Sequence, residues 1–179
     1  MQRFALVDPD NATGQTKELL GAVKDKLGLV PKTFQMMANA PAVLNGYLSL
    51  MGALDGGMLP FETRNQIAIA VSEINKCPYC LSAFTAIGKG AGISKENLHA
   101  CRTAGSDDPK VAAALKLAQT IVTTRGQVTD ADIEAVRKAG YSEGEVEEII
   151  ANVAQYTFIS YINLVSGTDI DFPLVTPGK

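Results

Sequence analysis

Apolar positions along most of the chain recur three and four residues apart, the spacing that places them on one face of an α-helix. Leu19, Leu20, Val23 and Leu27 form the first such run, behind Thr16 as a candidate N-cap, and Gly28 ends it. Pro31 restarts the chain, and Phe34, Met36 and Met37 predict a short helix to about Ala40. Pro41 opens a longer helix carrying Val43, Leu44, Leu48, Met51 and Leu54, which the Gly56-Gly57 pair stops. Residues 1–13 contain Pro9, are followed by Gly14 and show no periodicity, so they are expected to form an irregular arm.

Leu59-Pro60-Phe61-Glu62 reads as a helix start, with Pro near the first turn and an acid favourably placed for the helix dipole. Its body, Arg64 to Lys76, holds the one strand-like stretch: Ile67-Ala68-Ile69-Ala70-Val71 alternates large and small residues with a period of two. The Ile67/Val71/Ile74 spacing and the flanks favour a buried helix. A further helix runs from Leu81 to about Lys89, closed by Gly88, Gly90 and Gly92. Ser94 caps a short one through Arg102, and Asp107 or Asp108 before Pro109 starts another to about Arg125. Thr129 with Asp132 and Ser142 with Glu145 each resemble an N-cap with an acid at N3, the second matching the capping-box pattern. The last helix, roughly Gly144 to Leu164, is strongly apolar, and Gly167 ends it. The expected class is all-α, as one domain over residues 1–179.

Composition narrows the range of functions. A chain of 179 residues with 46% hydrophobic content can bury one substantial core. A net charge of -3 with its 16 basic residues dispersed provides no patch for nucleic acid. Charge interrupts the N-terminus before an apolar leader segment develops, and no later apolar run approaches a membrane span, so a soluble, cytoplasmic protein is expected. Three cysteines are too few for a disulfide scaffold. In a reducing compartment the close pair Cys77 and Cys80 points to redox chemistry or to metal.

If Pro78 is the first helical residue, Cys77 is the N-cap and Cys80 is N3, where free backbone N–H groups and the dipole favour a thiolate. The spacing lets the two sulfurs close a disulfide without a large backbone movement. One thiolate would attack a peroxide to give a sulfenic acid, and the other would resolve it. The plain alternative is a pair of small apolar residues in a core. A metal site would need His99 and Cys101 beside the pair, but residues two apart on a helix project about 200° from each other. No metal or other cofactor is therefore expected.

The segment from Arg64 through Lys76-Cys77-Pro78-Tyr79-Cys80-Leu81-Ser82-Ala83-Phe84 to Gly88 closely resembles the core of AhpD-like alkylhydroperoxidases, within the carboxymuconolactone decarboxylase superfamily. The resemblance centres on residues of about 60–92. It extends to Pro31-Lys32-Thr33-Phe34 and to Tyr161-Ile162-Asn163 at the end of the last helix. It implies an AhpD-like helical bundle that assembles as a homo-oligomer, a trimer or hexamer. It also implies Cys80 as the attacking thiol, Cys77 as the resolving thiol, a hydroperoxide substrate and an external thiol reductant.

The family's peroxidase motif has a Glu twelve residues before the first cysteine and a His four after the second, whereas this chain has Asn65 and Phe84. Those family residues form a proton relay, which neither an amide nor a phenyl ring can reproduce. General acid-base assistance contributes typically ~10²- to 10⁴-fold, so the expectation is a slow peroxidase. Glu73 is a candidate substitute, because its spacing places it on one face with Cys77, Cys80 and Phe84 if the helices are continuous. Tyr79, inside the CxxC, has a phenol that can donate a hydrogen bond. Two other readings stand beside the peroxidase: a non-redox decarboxylase or isomerase acting on a small lactone or acid, and an assembly protein that has lost its catalysis.

Overall fold

The computed structural model describes residues 2–178, which form nine α-helices and no strand. The helices are α1 (Gly14–Leu27), α2 (Lys32–Met37), α3 (Pro41–Asp55), α4 (Phe61–Ile74), α5 (Pro78–Gly90), α6 (Lys95–Ala100), α7 (Pro109–Thr124), α8 (Asp130–Lys138) and α9 (Glu143–Ser166). None of them is long and apolar enough to cross a membrane.

The strand-like stretch is the central helix. Every residue of α4 from Thr63 to Glu73 is buried, with α5, α7 and α9 packed around it. A helix covered on all sides has no solvent face to impose a 3.6-residue pattern, which is why its apolar residues fell into a misleading alternation. Helix α9, roughly 36 Å long at 1.5 Å per residue, spans the molecule and enters both halves of the core. Ile149 and Val153 join a cluster with Ile67, Val71, Leu115 and Val136. Ile159 joins a second cluster with Leu20, Phe34, Leu44, Tyr47, Cys77 and Cys80.

Local signals explain most of the boundaries. Thr129 and Ser142 both close full capping boxes, with Asp132 and Glu145 bonding back to their N-cap N–H groups. Asp108 caps α7 through Lys110 N–H. The first helix, however, begins one turn before the expected Thr16: Gly14, at φ +54°, turns the arm directly into it from Thr13. The helix expected to reach Arg102 tightens after Ala100 into a 3₁₀ turn, Cys101–Thr103.

The segments near both ends of the described residues are tied down. In the arm, Arg3 N–H donates to Ser166 O and Val7 N–H to Gln35 O. At the other end, residues 168–178 run without helix beside α5: Val175 N–H donates to Ser82 Oγ at 2.9 Å and Gly178 N–H to Glu73 Oε1 at 2.6 Å. The α3–α4 connection is fixed by Glu148 of α9, whose carboxylate accepts from Met58 and Leu59 N–H at 2.7 and 2.9 Å.

Candidate active site

Pro78 is the first residue of α5 and Cys77 its N-cap, with extended backbone at φ -92°, ψ 99°. Cys77 and Cys80 are joined as a disulfide, their Cα atoms 5.4 Å apart. The Cys80 N–H donates to Cys77 Sγ at 3.2 Å, so the first-turn amide serves the N-cap sulfur rather than Cys80. Both cysteines are almost completely buried, at 0% and 1% exposure.

Cys80 borders a cavity of about 550 Å³ enclosed by α1 to α5 and α9. Its walls are mainly apolar and aromatic: Phe34, Met51, Ala83, Ile87, Ile159 and the rings of Tyr47, Phe84, Tyr156 and Phe172. Asp55 lines it as well, with its carboxylate bonded to both Lys26 and Arg64. Burial would raise the Asp55 carboxyl, but these two cations hold it below the ordinary carboxylate range. Cys77 does not border this cavity. It borders a second hollow of about 520 Å³ between the start of α5 and the C-terminal residues Gly167 to Leu174. Asn163 and Tyr79 line both.

The residues at the altered relay positions lie in the Cys80 cavity. Phe84 packs edge-on against Tyr156, ring centroids 5.1 Å apart. Asn65 Nδ2 donates to Phe84 O at 3.2 Å, while its Oδ1 has no partner and lies against Gly88, where a Cβ would come within 2.4 Å. Glycine at position 88 therefore makes room for the amide.

Glu73 is not brought to the site. Between α4 and α5 the chain reverses through Lys76, at φ 54°, so the two helices are not one continuous face. The Glu73 carboxylate turns to Arg102 Nε at 2.8 Å, Gly178 N–H and Lys76 Nζ. Burial opposes its ionisation, but those bonds hold its pKa below the usual value, which suits an anchor for the C-terminal residues rather than a base. Tyr79 presents its ring to both hollows, but its hydroxyl accepts from Thr33 N–H at 3.2 Å and is bonded to Asp171. Burial, together with Asp171, pushes that phenol far up, and Phe172 packs edge-on against its ring. Its hydroxyl is thus engaged in tying α2 and the C-terminal residues to α5.

Cys101 packs in the other core cluster, where burial pushes its thiol up to about 12. Among the described residues no three His, Cys, Asp or Glu side chains are grouped to hold a metal ion.

Two further groups face Cys80 from α9. Asn163 Nδ2 lies 3.5 Å and Ser160 Oγ 3.6 Å from its sulfur. Ser160 was not singled out in the sequence. The signal for it was there: polar residues at 160 and 163 fall on the same face as Tyr156 and Ile159, the buried face of the helix.

Nearly all of the chain superposes on solved structures of similar size. A crystal structure described as an alkylhydroperoxidase AhpD core, an uncharacterized peroxidase-related protein from Ralstonia eutropha JMP134, gives a TM-score of 0.85 at 23% identity, covering 95% of this chain and 92% of that one. An uncharacterized peroxidase-related protein from Silicibacter sp. TM1040 gives 0.83 at 21% identity, covering 94% and 91%. The debrominase Bmp8, as a cysteine-to-alanine variant in complex with 2,3,4-tribromopyrrole, gives 0.81 at 21% identity, covering 96% and 94%. The fold is thus the AhpD-like helical bundle. No curated protein sequence matches the chain. Residues 41–120, which carry Cys77, Cys80 and the two relay positions, match the carboxymuconolactone decarboxylase family.

Proposed function

We propose that this protein is a thiol-dependent peroxidase that reduces apolar hydroperoxides through the Cys77–Cys80 couple. The observation that carries this reading is the division of the two sulfurs between two hollows: Cys80 borders the apolar cavity and Cys77 the hollow behind it. The Cys80 thiolate attacks the outer oxygen of the hydroperoxide. The O–O bond breaks, the alcohol leaves with a proton, and Cys80 becomes a sulfenic acid. The Cys77 thiolate then attacks that sulfur, the S–O bond breaks, water leaves with a proton, and the disulfide forms. An external dithiol, approaching from the Cys77 side, supplies the two electrons that reopen it.

No histidine lines the cavity, so proton delivery to the leaving oxygen falls to water or to the phenols of Tyr47 and Tyr156. Burial keeps both phenols neutral, that of Tyr47 being pushed up to about 12. Poor acids of this kind fit slow turnover. The direct test is hydroperoxide consumption under dithiothreitol by wild type and Cys80→Ser. Loss of the thiol-dependent rate in the variant is expected, and equal rates would remove Cys80 from the mechanism.

A second substrate class is favoured by the aromatic lining of the cavity and by the fold shared with a debrominase. In that reaction the thiolate takes bromine from a bromoarene whose ring carbon gains a proton, and Cys77 displaces bromide to leave the same disulfide. Bromide release from a brominated pyrrole, again lost in Cys80→Ser, separates the two.

The protein acts as a homo-oligomer in a reducing, cytoplasmic setting. Support for assembly comes from α9, where Ile150, Phe158, Tyr161 and Val165 are exposed at helical spacing. Light scattering on Phe158→Glu/Val165→Glu, expected to give a smaller particle than wild type, tests it.

A further inference from the structure

A Cys80 nucleophile receives little help from the start of its own helix, because the nearest amide, Cys80 N–H, is directed at Cys77 Sγ. What faces the Cys80 sulfur instead is α9. Asn163 and Ser160 are buried, at 3% and 0% exposure, and three residues apart, so they sit on one face of the helix.

The bonding around Asn163 fixes its orientation. One Nδ2 hydrogen goes to Ile159 O at 3.1 Å and the other is directed at the sulfur. A flipped amide would set its oxygen against that carbonyl with no proton between them. The Oδ1 is consequently left buried without a hydrogen-bond partner. Ser160 has a single proton and two acceptors, Tyr156 O at 2.7 Å and Cys80 Sγ at 3.6 Å. Against a disulfide sulfur, a weak acceptor, the carbonyl takes the proton. Against a thiolate the charge-assisted bond is the stronger one.

We propose that Asn163 and Ser160 are positioning residues that hold the Cys80 sulfur as a thiolate, Asn163 as a standing donor and Ser160 as a donor that turns to the sulfur when the disulfide is reduced. This inference rests on the reading that Cys80 is the attacking sulfur. It accounts for chemistry without the family's relay, since a thiolate that is already formed needs no base at position 84 to take its proton. It also sets the direction of reduction. The reductant's thiolate attacks Cys77, the S–S bond breaks, and Cys80 leaves as the stabilised thiolate. The reductant's second thiolate then releases Cys77, which takes a proton. Stabilising the reduced form makes the couple more oxidising.

The test compares wild type with Asn163→Ala, Ser160→Ala and Ser160→Thr. The readouts are the pH dependence of Cys80 alkylation in the reduced protein, assigned by peptide mass spectrometry, and the equilibrium of the couple against glutathione. Loss of a hydrogen bond to a charged group is expected to raise the Cys80 pKa by about one unit in Asn163→Ala. It should also shift the couple about tenfold towards the disulfide, about 30 mV. Ser160→Ala is expected to shift both in the same direction by less, and Ser160→Thr, which keeps the hydroxyl, to restore wild-type values. If Asn163→Ala does not fold, the Ser160 pair decides. Unchanged pKa and equilibrium in the folded variants would overturn the inference even where Cys80→Ser abolishes turnover. Shifted values with turnover intact in Cys80→Ser would instead overturn the peroxidase reading and leave the role of α9 standing.

Discussion

Both halves of the core draw on the same helix, and they use it differently. Around α4, α7 and the first half of α9, fully buried Ile67, Leu115 and Ile149 pack against one another, and Cys101 lies among them as one more small apolar residue. Around α1 to α3 and the start of α5, residues just as apolar enclose a cavity of about 550 Å³ with the dithiol on its wall. There α9 contributes Gln155, Ser160 and Asn163 to the interior as well as Ile159. A protein interior ordinarily closes to crystal-like density. The half that stays open has room for a bound molecule, and the half around α4 and α7 does not.

That contrast can be sharpened first by putting the relay back. Asn65→Glu with Phe84→His should raise the thiol-dependent peroxidase rate, by up to the ~10²- to 10⁴-fold that acid-base assistance contributes. No gain in a folded double variant would mean that the cavity serves another substrate, and bromide release would then be the rate to follow. In the closed half, Leu115→Ala should cost ~2–5 kcal/mol in a denaturant titration and leave the pH dependence of Cys80 alkylation unchanged. Adding volume should separate the halves in the opposite sense. Ala118→Leu, at a fully buried closed site, is expected to cost ~1–3 kcal/mol. Ala83→Leu projects into the cavity and should cost less than ~1 kcal/mol while slowing turnover. Equal costs would show that the cavity has collapsed in solution.

Alkaline pH gives a small effect. Burial raises the Cys101 thiol from 9.0 to about 12 and the Tyr47 phenol from 10.0 to about 12. Each folded value lies above its unfolded one, so each contribution is intact below the unfolded pKa and is lost as pH rises through the folded one. The Cys101 loss starts near pH 9 and that of Tyr47 near pH 10. Cys101→Ala should accordingly flatten the stability profile between about pH 9 and 10, by about 1 kcal/mol. Tyr47→Phe should flatten that interval by less than half as much and act mainly on the profile above it.

The helices were largely legible because their punctuation is local. Gly28, Pro41, Gly56-Gly57, Ser94 and the two capping boxes act within one turn of where they stand, and the structure places a helix boundary at each. The CxxC was equally legible, since N-cap and first-turn positions follow directly from Pro78. Glu73 was misplaced because the reading depended on continuity between helices, and a single left-handed residue, Lys76, removes it. The hydroxyl of Tyr79 could not be placed, because its partners Thr33 and Asp171 lie in distant segments. Ser160 was passed over for a related reason. A serine in an apolar helix has meaning only once the element opposite is known, and here that element ends in a sulfur.

The central claim is that Cys77 and Cys80 work as a redox couple with Cys80 as the attacking sulfur. The most direct test is to expose the reduced Cys77→Ser variant to one equivalent of an alkyl hydroperoxide and to trap sulfenic acid with dimedone, locating the adduct by peptide mass spectrometry. The account predicts an adduct on Cys80 in this variant, and in wild type a Cys77–Cys80 disulfide with no adduct. An unmodified Cys80, or an adduct confined to Cys101, would contradict it.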